Sequence, residues 1–368
     1  MSGRLKSFII WKVEESKYMK TVFKNKRVLV TGGTGTIGSA LVKKILRFTP
    51  KIIRVFDNDE NALYNLANEL KQDELRLRYL LGDVRDKDRL NLAMEDIDVV
   101  YHVAALKHVP LCEYNPFEAV ETNIIGNQNA IEAARANCVK KFVFISTDKS
   151  VKPVNIMGAT KLLGERLTVD ASYYRGLKKI EFSCVRFGNV LNSRGSVIPL
   201  WISEMVERKT LTVTDRKMTR FVISIDEAIN LVLKSTKLMK GGEIFILKDM
   251  KAVRIIDLMM VFKDLYSETL GLNSNDVEIK EIGKRPGEKL DELLMTEDEA
   301  GNSLETKNFF IILPYNHIGA KRSPSDYKNA QYTNRKCFSS KKEPKLTKAE
   351  IRQFLKKKII RLENWAVE

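Results

Sequence analysis

The chain has 368 residues, 44% hydrophobic and 30% charged, with a formal net charge of +16 at pH 7. That length exceeds one ordinary domain and allows a sizeable core, while no apolar run approaches the ~20 residues of a membrane span. Cys112, Cys138, Cys184 and Cys337 have no paired spacing, so they read as buried thiols of a cytoplasmic protein rather than a disulfide framework.

Residues 1–22 read as an N-terminal helical arm; the apolar run Phe8 to Trp11 is too short for a signal-peptide core. From Arg27 onward apolar runs alternate with helical periods. Strands are predicted at 27–31, 52–56, 76–82, 99–103, 142–146 and 182–187. Helices are predicted at 37–47, 60–71, 87–94, 116–137 and 157–174. Repeated strand–helix–strand units give an α/β fold with a doubly wound parallel sheet. Right-handed crossovers put every strand's C-terminal end on one rim, where Gly32, Asp57, Asp83, Ala104 and Thr147 all fall.

The first strand ends at Thr31 and runs into Gly32-Gly33-Thr34-Gly35-Thr36-Ile37-Gly38. Gly32, Gly35 and Gly38 let the turn tighten, the backbone approach a pyrophosphate and the helix pack on the strand. The helix N-terminus then offers unpaired N–H groups and a positive dipole end to the phosphates. Asp57, 19 residues beyond Gly38, would accept from the adenosine ribose hydroxyls and repel a 2′-phosphate. Asn58, Asp59 and Glu60 follow without a basic residue, so NAD is expected in preference to NADP. Asp83 and Val84 end the third strand, where the carboxylate reaches an adenine amine or caps the next helix.

Thr147, Asp148 and Lys149 end the fifth predicted strand, and Lys161 follows in a helix, four residues after Met157. An acid, an amine and a hydroxyl at one strand end are tools for moving protons. After Gly188 the alternation lapses, with short helices at 197–207, 226–238 and 255–264. The division read here is an arm (1–22), a dinucleotide-binding Rossmann domain (23–188), and a smaller substrate domain (189–312). Some segments of the substrate domain are expected to return to the first, and a basic tail (313–368) follows. Residues 313–346 look irregular and a last helix is predicted at 347–358, with Thr347 as N-cap and Glu350 at N3. From His317 to Arg361 there are fourteen Lys or Arg against three Asp or Glu. No aromatic platform accompanies them, so no nucleic acid is expected. The tail reads as a solvated basic segment, or as a dock for an acidic partner or an anionic surface. No His/Cys/Asp cluster has metal-ligand spacing, and no metal is expected.

Seven segments in order carry a family resemblance over roughly residues 24–296. They are Ala104-Ala105-Leu106-Lys107-His108-Val109-Pro110, Ser146-Thr147-Asp148-Lys149, Met157-Gly158-Ala159-Thr160-Lys161, Arg186-Phe187-Gly188-Asn189-Val190, Ser193-Arg194-Gly195-Ser196, Met218-Thr219-Arg220-Phe221 and Arg285-Pro286-Gly287-Glu288-Lys289. With the glycine loop they resemble the extended short-chain dehydrogenase/reductases. Within that superfamily they resemble the polysaccharide-biosynthesis branch, the UDP-N-acetylglucosamine 4,6-dehydratases.

The resemblance implies a redox-neutral dehydration: hydride leaves sugar C4, water is lost across C5–C6, and hydride returns to C6. It implies that Asp148 is the acid for the departing 6-hydroxyl and that Lys149 is the base at C5. Thr147 would bond the C4 hydroxyl, and Lys161 the nicotinamide ribose. A lysine base must be neutral, and burial, Lys161 and an oxidised nicotinamide are each expected to push Lys149 downward. Met157 stands where many relatives carry tyrosine, so Asp148 or Thr147 must help deprotonate the C4 hydroxyl. Asn189, Arg194, Arg220 and Arg285 are candidates for the UDP moiety, with Glu288 for a ribose hydroxyl. Lys107 and His108 face the sugar or simply pack their loop. The likeness further implies a homo-oligomer built on the 116–137 and 157–174 helices, and the tail leans towards the C5-inverting group. Two other readings stay open: a UDP-sugar C4 epimerase, and a non-catalytic dinucleotide sensor or scaffold.

Overall fold

The computed structural model describes residues 19–358 apart from 175, 177–178, 270 and 315–321. Residues 1–18 of the expected arm and 359–368 of the tail lie outside the described residues.

All six strands expected before residue 188 form: β1 (Arg27–Thr31), β2 (Ile52–Asp57), β3 (Leu77–Leu81), β4 (Val99–His102), β5 (Lys141–Thr147) and β6 (Glu181–Phe187). They run parallel in the order β3-β2-β1-β4-β5-β6. β5 is buried from Phe142 to Ser146, as a strand covered by helices on both faces must be. The order reverses between β1 and β4, and a crevice opens there beyond the strand ends.

The sheet does not stop at β6. Ile244–Leu247 adds in parallel, and Phe309–Ile312, Ser303–Glu305 and Gln331–Tyr332 add antiparallel, giving ten strands. Gln331–Tyr332 lies in the stretch read as irregular, and so does Phe338–Ser339, which pairs with Leu293–Met295. The sequence pattern hid the second strand because one aromatic sits alone among polar residues. The Phe338 ring is fully buried, 4.7 Å from that of Phe221 and 5.3 Å from that of Phe310.

A second core joins helices Val197–Arg208 and Ile255–Thr269 around Trp201, Phe262 and Tyr266. Ile351 and Leu355 of the last helix, Lys348–Lys358, are buried in the same core. The side chain and backbone N–H of Thr347 both bond Glu350, the N-terminal device read from the sequence.

The helix expected at 116–137 is broken into Pro116–Val120, a π-helical turn at Glu121–Ile125, and Gly126–Ala136. The π turn carries Asn123 inward, where it is buried. Two cysteines depart from the buried reading. Cys112 and Cys184 are buried, but Cys138 is exposed and Cys337 only partly covered. Cys138 has φ 54°, a turn residue just past a helix end. No helix among the described residues is long and apolar enough to cross a membrane.

Candidate active site

A cavity of about 680 Å³ opens over the C-terminal ends of the central strands. Its floor at β1 is the glycine loop leading into helix α1 (Thr36–Leu46). A Cβ on Gly38 would lie 2.1 Å from the Gly32 carbonyl oxygen. Gly32, at φ +62°, would bring a Cβ within 2.6 Å of the Ala104 nitrogen. These positions admit only hydrogen, which keeps a backbone-lined cradle that fits a pyrophosphate. Gly38→Ala is therefore expected to weaken dinucleotide binding by more than ~10-fold, about 1.4 kcal/mol. Calorimetric titration checks this, with Gly301→Ala, where a Cβ meets nothing within 4 Å, as the unaffected control.

Asp57 ends β2 in the cavity wall and ties the glycine loop, its Oδ2 accepting from Thr34 N at 2.9 Å and Thr34 Oγ1 at 2.6 Å. Asn58 lines the wall beside it. Thr31 sits beneath the loop: its Oγ1 meets His102 Nδ1 at 2.9 Å and accepts from Val103 N at 3.2 Å. It thus ties β1 to β4 rather than lining the cavity. Asp83 does line it, gripped by Arg85 at 2.7 and 3.1 Å. That guanidinium holds its carboxyl below the ordinary aspartate range. The helix cap expected of Asp83 belongs to Asp86, which accepts from Arg89 N.

Ala104, Ala105, Lys107 and His108 follow β4 along the same wall. Asn123, aimed inward by the π turn, accepts from Leu106 N at 2.8 Å. It donates to Leu106 O and to Thr160 Oγ1, each at 3.0 Å. One amide so braces the β4 loop against helix α2 (Ile156–Asp170). Across the cavity, Lys107 Nζ donates to Arg194 O at 2.5 Å, and Arg194 N donates to Thr36 Oγ1 at 3.0 Å. The 193–196 loop thereby spans both walls, with Asn189 alongside.

β5 delivers the proton-transfer group. Thr147 Oγ1 donates to Asp148 Oδ1 at 2.9 Å, and Lys149 Nζ donates to the same oxygen at 3.0 Å. Asp148 is fully buried beneath the cavity surface, whereas Thr147 and Lys149 line it. Lys161 of α2 lines it too; its Nζ donates to Ile145 O at 2.6 Å and lies 4.0 Å from the Phe144 ring centre. Met157 lies one turn earlier in the cavity wall, 3% exposed.

The expected depression of Lys149 does not hold in this structure. Burial pulls its ammonium down, but the charges of Asp148 and Glu292 and the Asp148 hydrogen bond outweigh that and raise it. Lys161 is the lowered amine instead: burial brings it to about 8, with Glu165 and Cys184 pushing back.

The residues proposed for UDP are divided. Arg285 and Glu288 belong to a separate surface groove of about 390 Å³ beside Val154. Asn155 Nδ2 donates to Gly287 O at 2.7 Å and ties that groove to the start of α2. Arg220 is buried, donating to the carbonyls of Thr219, Lys289 and Leu290 at 2.8–3.0 Å.

Sequence reading missed the framework under the trio. Arg186 Nε and Nη2 donate to Glu165 at 2.9 and 2.6 Å, while Nη1 and Nη2 donate to Glu299 at 3.1 and 2.9 Å. Arg186 Nη1 also donates to Leu294 O at 2.7 Å, and Ser150 Oγ to Glu165 Oε1 at 2.9 Å. A second carboxylate, Glu292, is buried close behind Asp148 and Lys149. No group of three His, Cys, Asp or Glu among the described residues is arranged to hold a metal.

A doubly wound sheet with a glycine cradle, an acidic β2 end and a Lys-bearing helix defines an extended short-chain dehydrogenase/reductase. Residues 28–314 match the polysaccharide biosynthesis protein family, and the chain belongs to it. An uncharacterized membrane protein of Methanocaldococcus jannaschii is 55% identical over 85% of this chain and 94% of its own. A UDP-N-acetylglucosamine 4,6-dehydratase (inverting) of Campylobacter jejuni is 42% identical over 80% of this chain and 84% of its own. A UDP-glucose 4-epimerase of Rickettsia bellii is 36% identical over 79% and 84%. Among solved structures, Pen from Bacillus thuringiensis superposes with a TM-score of 0.83 at 43% identity, covering 91% of this chain and 98% of that one.

Proposed function

We propose that this chain dehydrates UDP-N-acetylglucosamine to a UDP-4-keto-6-deoxy-N-acetylhexosamine, inverting C5, with NAD as its cofactor. The observation that carries the reading is the acid–amine pair at the end of β5, Lys149 Nζ 3.0 Å from Asp148 Oδ1 and reached by the Thr147 hydroxyl. The 42% identity to the Campylobacter dehydratase supports it.

A bound NAD would supply the acceptor and donor of hydride for C4 and C6. Gly32, Gly35, Thr36, Ile37 and Gly38 would hold its pyrophosphate, Asp57 its adenosine ribose, and Lys161 its nicotinamide ribose. Met157 accepts no proton, so the C4 hydroxyl passes its proton through Thr147 to Asp148. Asp148 gives that proton to the departing 6-hydroxyl, which leaves as water. Lys149, once it has shed the proton that Asp148 and Glu292 favour, takes the C5 proton made acidic by the C4 ketone. C5 then regains a proton, from the opposite face in an inverting enzyme. Arg194 and Asn189 would hold the diphosphate within the cavity, whereas Arg285, proposed for the diphosphate, and Glu288, proposed for a ribose hydroxyl, lie in a separate groove.

Tyr114 and Phe117 are 86% and 82% exposed on the short helices beside α2, which supports a homo-oligomer joined through that face. Free cysteines accord with a cytoplasmic site of action.

The epimerase relative favours a second reading, hydride out and back at C4 with sugar rotation, which needs no acid for the 6-hydroxyl. Incubating NAD-loaded protein with UDP-N-acetylglucosamine and weighing the nucleotide sugar separates the two. A product lighter by one water supports dehydration. An isomer of unchanged mass favours the epimerase, and unaltered substrate rejects both.

A further inference from the structure

Elimination places a positive charge on Lys149 as it accepts the C5 proton, and a second buried carboxyl group lies near it. Glu292 is 2% exposed and precedes Leu293–Met295, the strand that packs against the Asp148–Ser150 turn. Its backbone is pinned on both sides by Ser340: Glu292 N donates to Ser340 Oγ, and Ser340 N donates to Glu292 O, each at 2.8 Å. The carboxylate faces Arg220 Nε at 3.9 Å and Lys289 Nζ at 3.6 Å. Lys289 Nζ also donates to Val151 O at 2.6 Å, closing this segment onto the loop that follows Lys149. Glu292 Oε2 and Asp148 Oδ2 are buried, and neither has a hydrogen-bond partner among the described residues. A buried carboxylate oxygen left without a donor is costly to maintain. The Lys289 ammonium, 3.6 Å from Glu292 Oε2, offsets part of that cost.

We propose that Glu292 is a positioning residue for the dehydration, its buried carboxylate stabilising the ammonium that Lys149 becomes when it takes the C5 proton. The inference rests on the dehydratase reading and deepens it. The charged groups around the position are Asp148 and Lys149 after β5, Arg220 on the strand Thr219–Ile223, and Lys289 on the same segment. Burial and the neighbouring Asp148 raise the carboxyl of Glu292 against the opposing pull of Lys149, Arg220 and Lys289, and the cations at 3.6 and 3.9 Å favour its charged form. An anion near an amine favours the protonated form. Glu292 thus makes Lys149 a stronger base and lowers the fraction that is neutral at a given pH. Neutralising it has two opposite consequences. The acid limb of the pH–rate profile, where Lys149 sheds its proton, moves to lower pH, and the plateau rate falls because the base is weaker.

The test compares wild type with Glu292→Gln, which keeps shape and removes charge. The acid limb of product formation is expected about one pH unit lower, a tenfold change in the neutral fraction. The plateau rate is expected to fall by up to about tenfold. Independently of turnover, the Nζ of Lys149 is titrated by NMR in protein carrying ¹⁵N-lysine, the resonance assigned with Lys149→Arg. Its midpoint should fall in Glu292→Gln. If the glutamine at 292 fails to fold, Glu292→Asp, which keeps the charge but withdraws it from Lys149, decides the matter by a smaller fall. A midpoint that moves in neither variant overturns the proposal, as does a uniform loss of rate at every pH. If the midpoint moves but wild type makes no dehydrated sugar, the electrostatic coupling stands and the dehydratase reading fails.

Discussion

Replacing Lys149 with methionine is expected to slow dehydration by roughly 10²–10⁴-fold while NAD still binds with unchanged affinity. The Lys149 side chain is 23% exposed, at the cavity surface, and its amine lies 3.0 Å from Asp148 Oδ1. Among the described residues its hydrogen bond and ion pair go to Asp148 and not to the glycine cradle, so loss of the amine is expected to leave the dinucleotide site intact. Methionine retains the apolar stem, and packing around the turn survives. The variant should still pass hydride from C4, seen as transient reduced nicotinamide absorbance on mixing with substrate, and then stall before water is lost. Undiminished dehydration would remove the amine from its role. Loss of NAD affinity would show instead that the substitution disturbs the cradle.

Arg186→Met is expected to cost stability first, by about 3–5 kcal/mol, and activity as a consequence. Arg186 lies 1% exposed between Glu165 and Glu299, and its removal leaves two carboxylates in the core with no cation between them. The pair lowers the energy of both acids; the charge of Glu299 in particular is held in its ionised form by Arg186 against burial. Urea denaturation followed by circular dichroism measures the loss. Because Ser150 donates to Glu165, the turn bearing Asp148 and Lys149 should loosen as well, and activity should fall even where the variant remains folded. Replacing all three charges together with apolar residues of similar volume should recover much of the loss. A single variant with wild-type stability would mean that water already shields these carboxylates.

What could be read from the chain follows the range of the forces involved. Central strands such as β5 announce themselves because a sheet covered on both faces needs unbroken apolar runs such as Phe142 to Ile145. The cradle is legible because backbone–backbone contact at Gly38 and Gly32 tolerates no side chain, and that demand falls on consecutive residues. Thr147, Asp148 and Lys149 are adjacent in sequence and so remain together in space. Glu292 was invisible for the opposite reason: 144 residues separate it from Asp148, and its neighbours Leu290 and Asp291 carry no periodic signal. The Glu165–Arg186–Glu299 network is hidden likewise, each member being one charged residue among many until the fold buries it. Arg220 shows the limit of motif reading. Its segment matches the family pattern, yet here its guanidinium is spent on three backbone carbonyls. The π turn at Glu121–Ile125 leaves the apolar period of a long helix almost undisturbed, so only the inward Asn123 betrays it. Lys149 departs from its expected depression because the adjacent Asp148 and, after it, the distant Glu292 outweigh burial.

Proton NMR of UDP-N-acetylglucosamine incubated with NAD-loaded protein in deuterated water tests the central claim most directly. Proton removal at C5 and loss of the 6-hydroxyl, carried by Lys149 and Asp148, must yield a C6 methyl signal with deuterium at C5, and the ring couplings of an inverted centre. A folded, NAD-bound protein that leaves the hexose spectrum unchanged, or yields a C4 epimer with C6 still hydroxylated, contradicts the account.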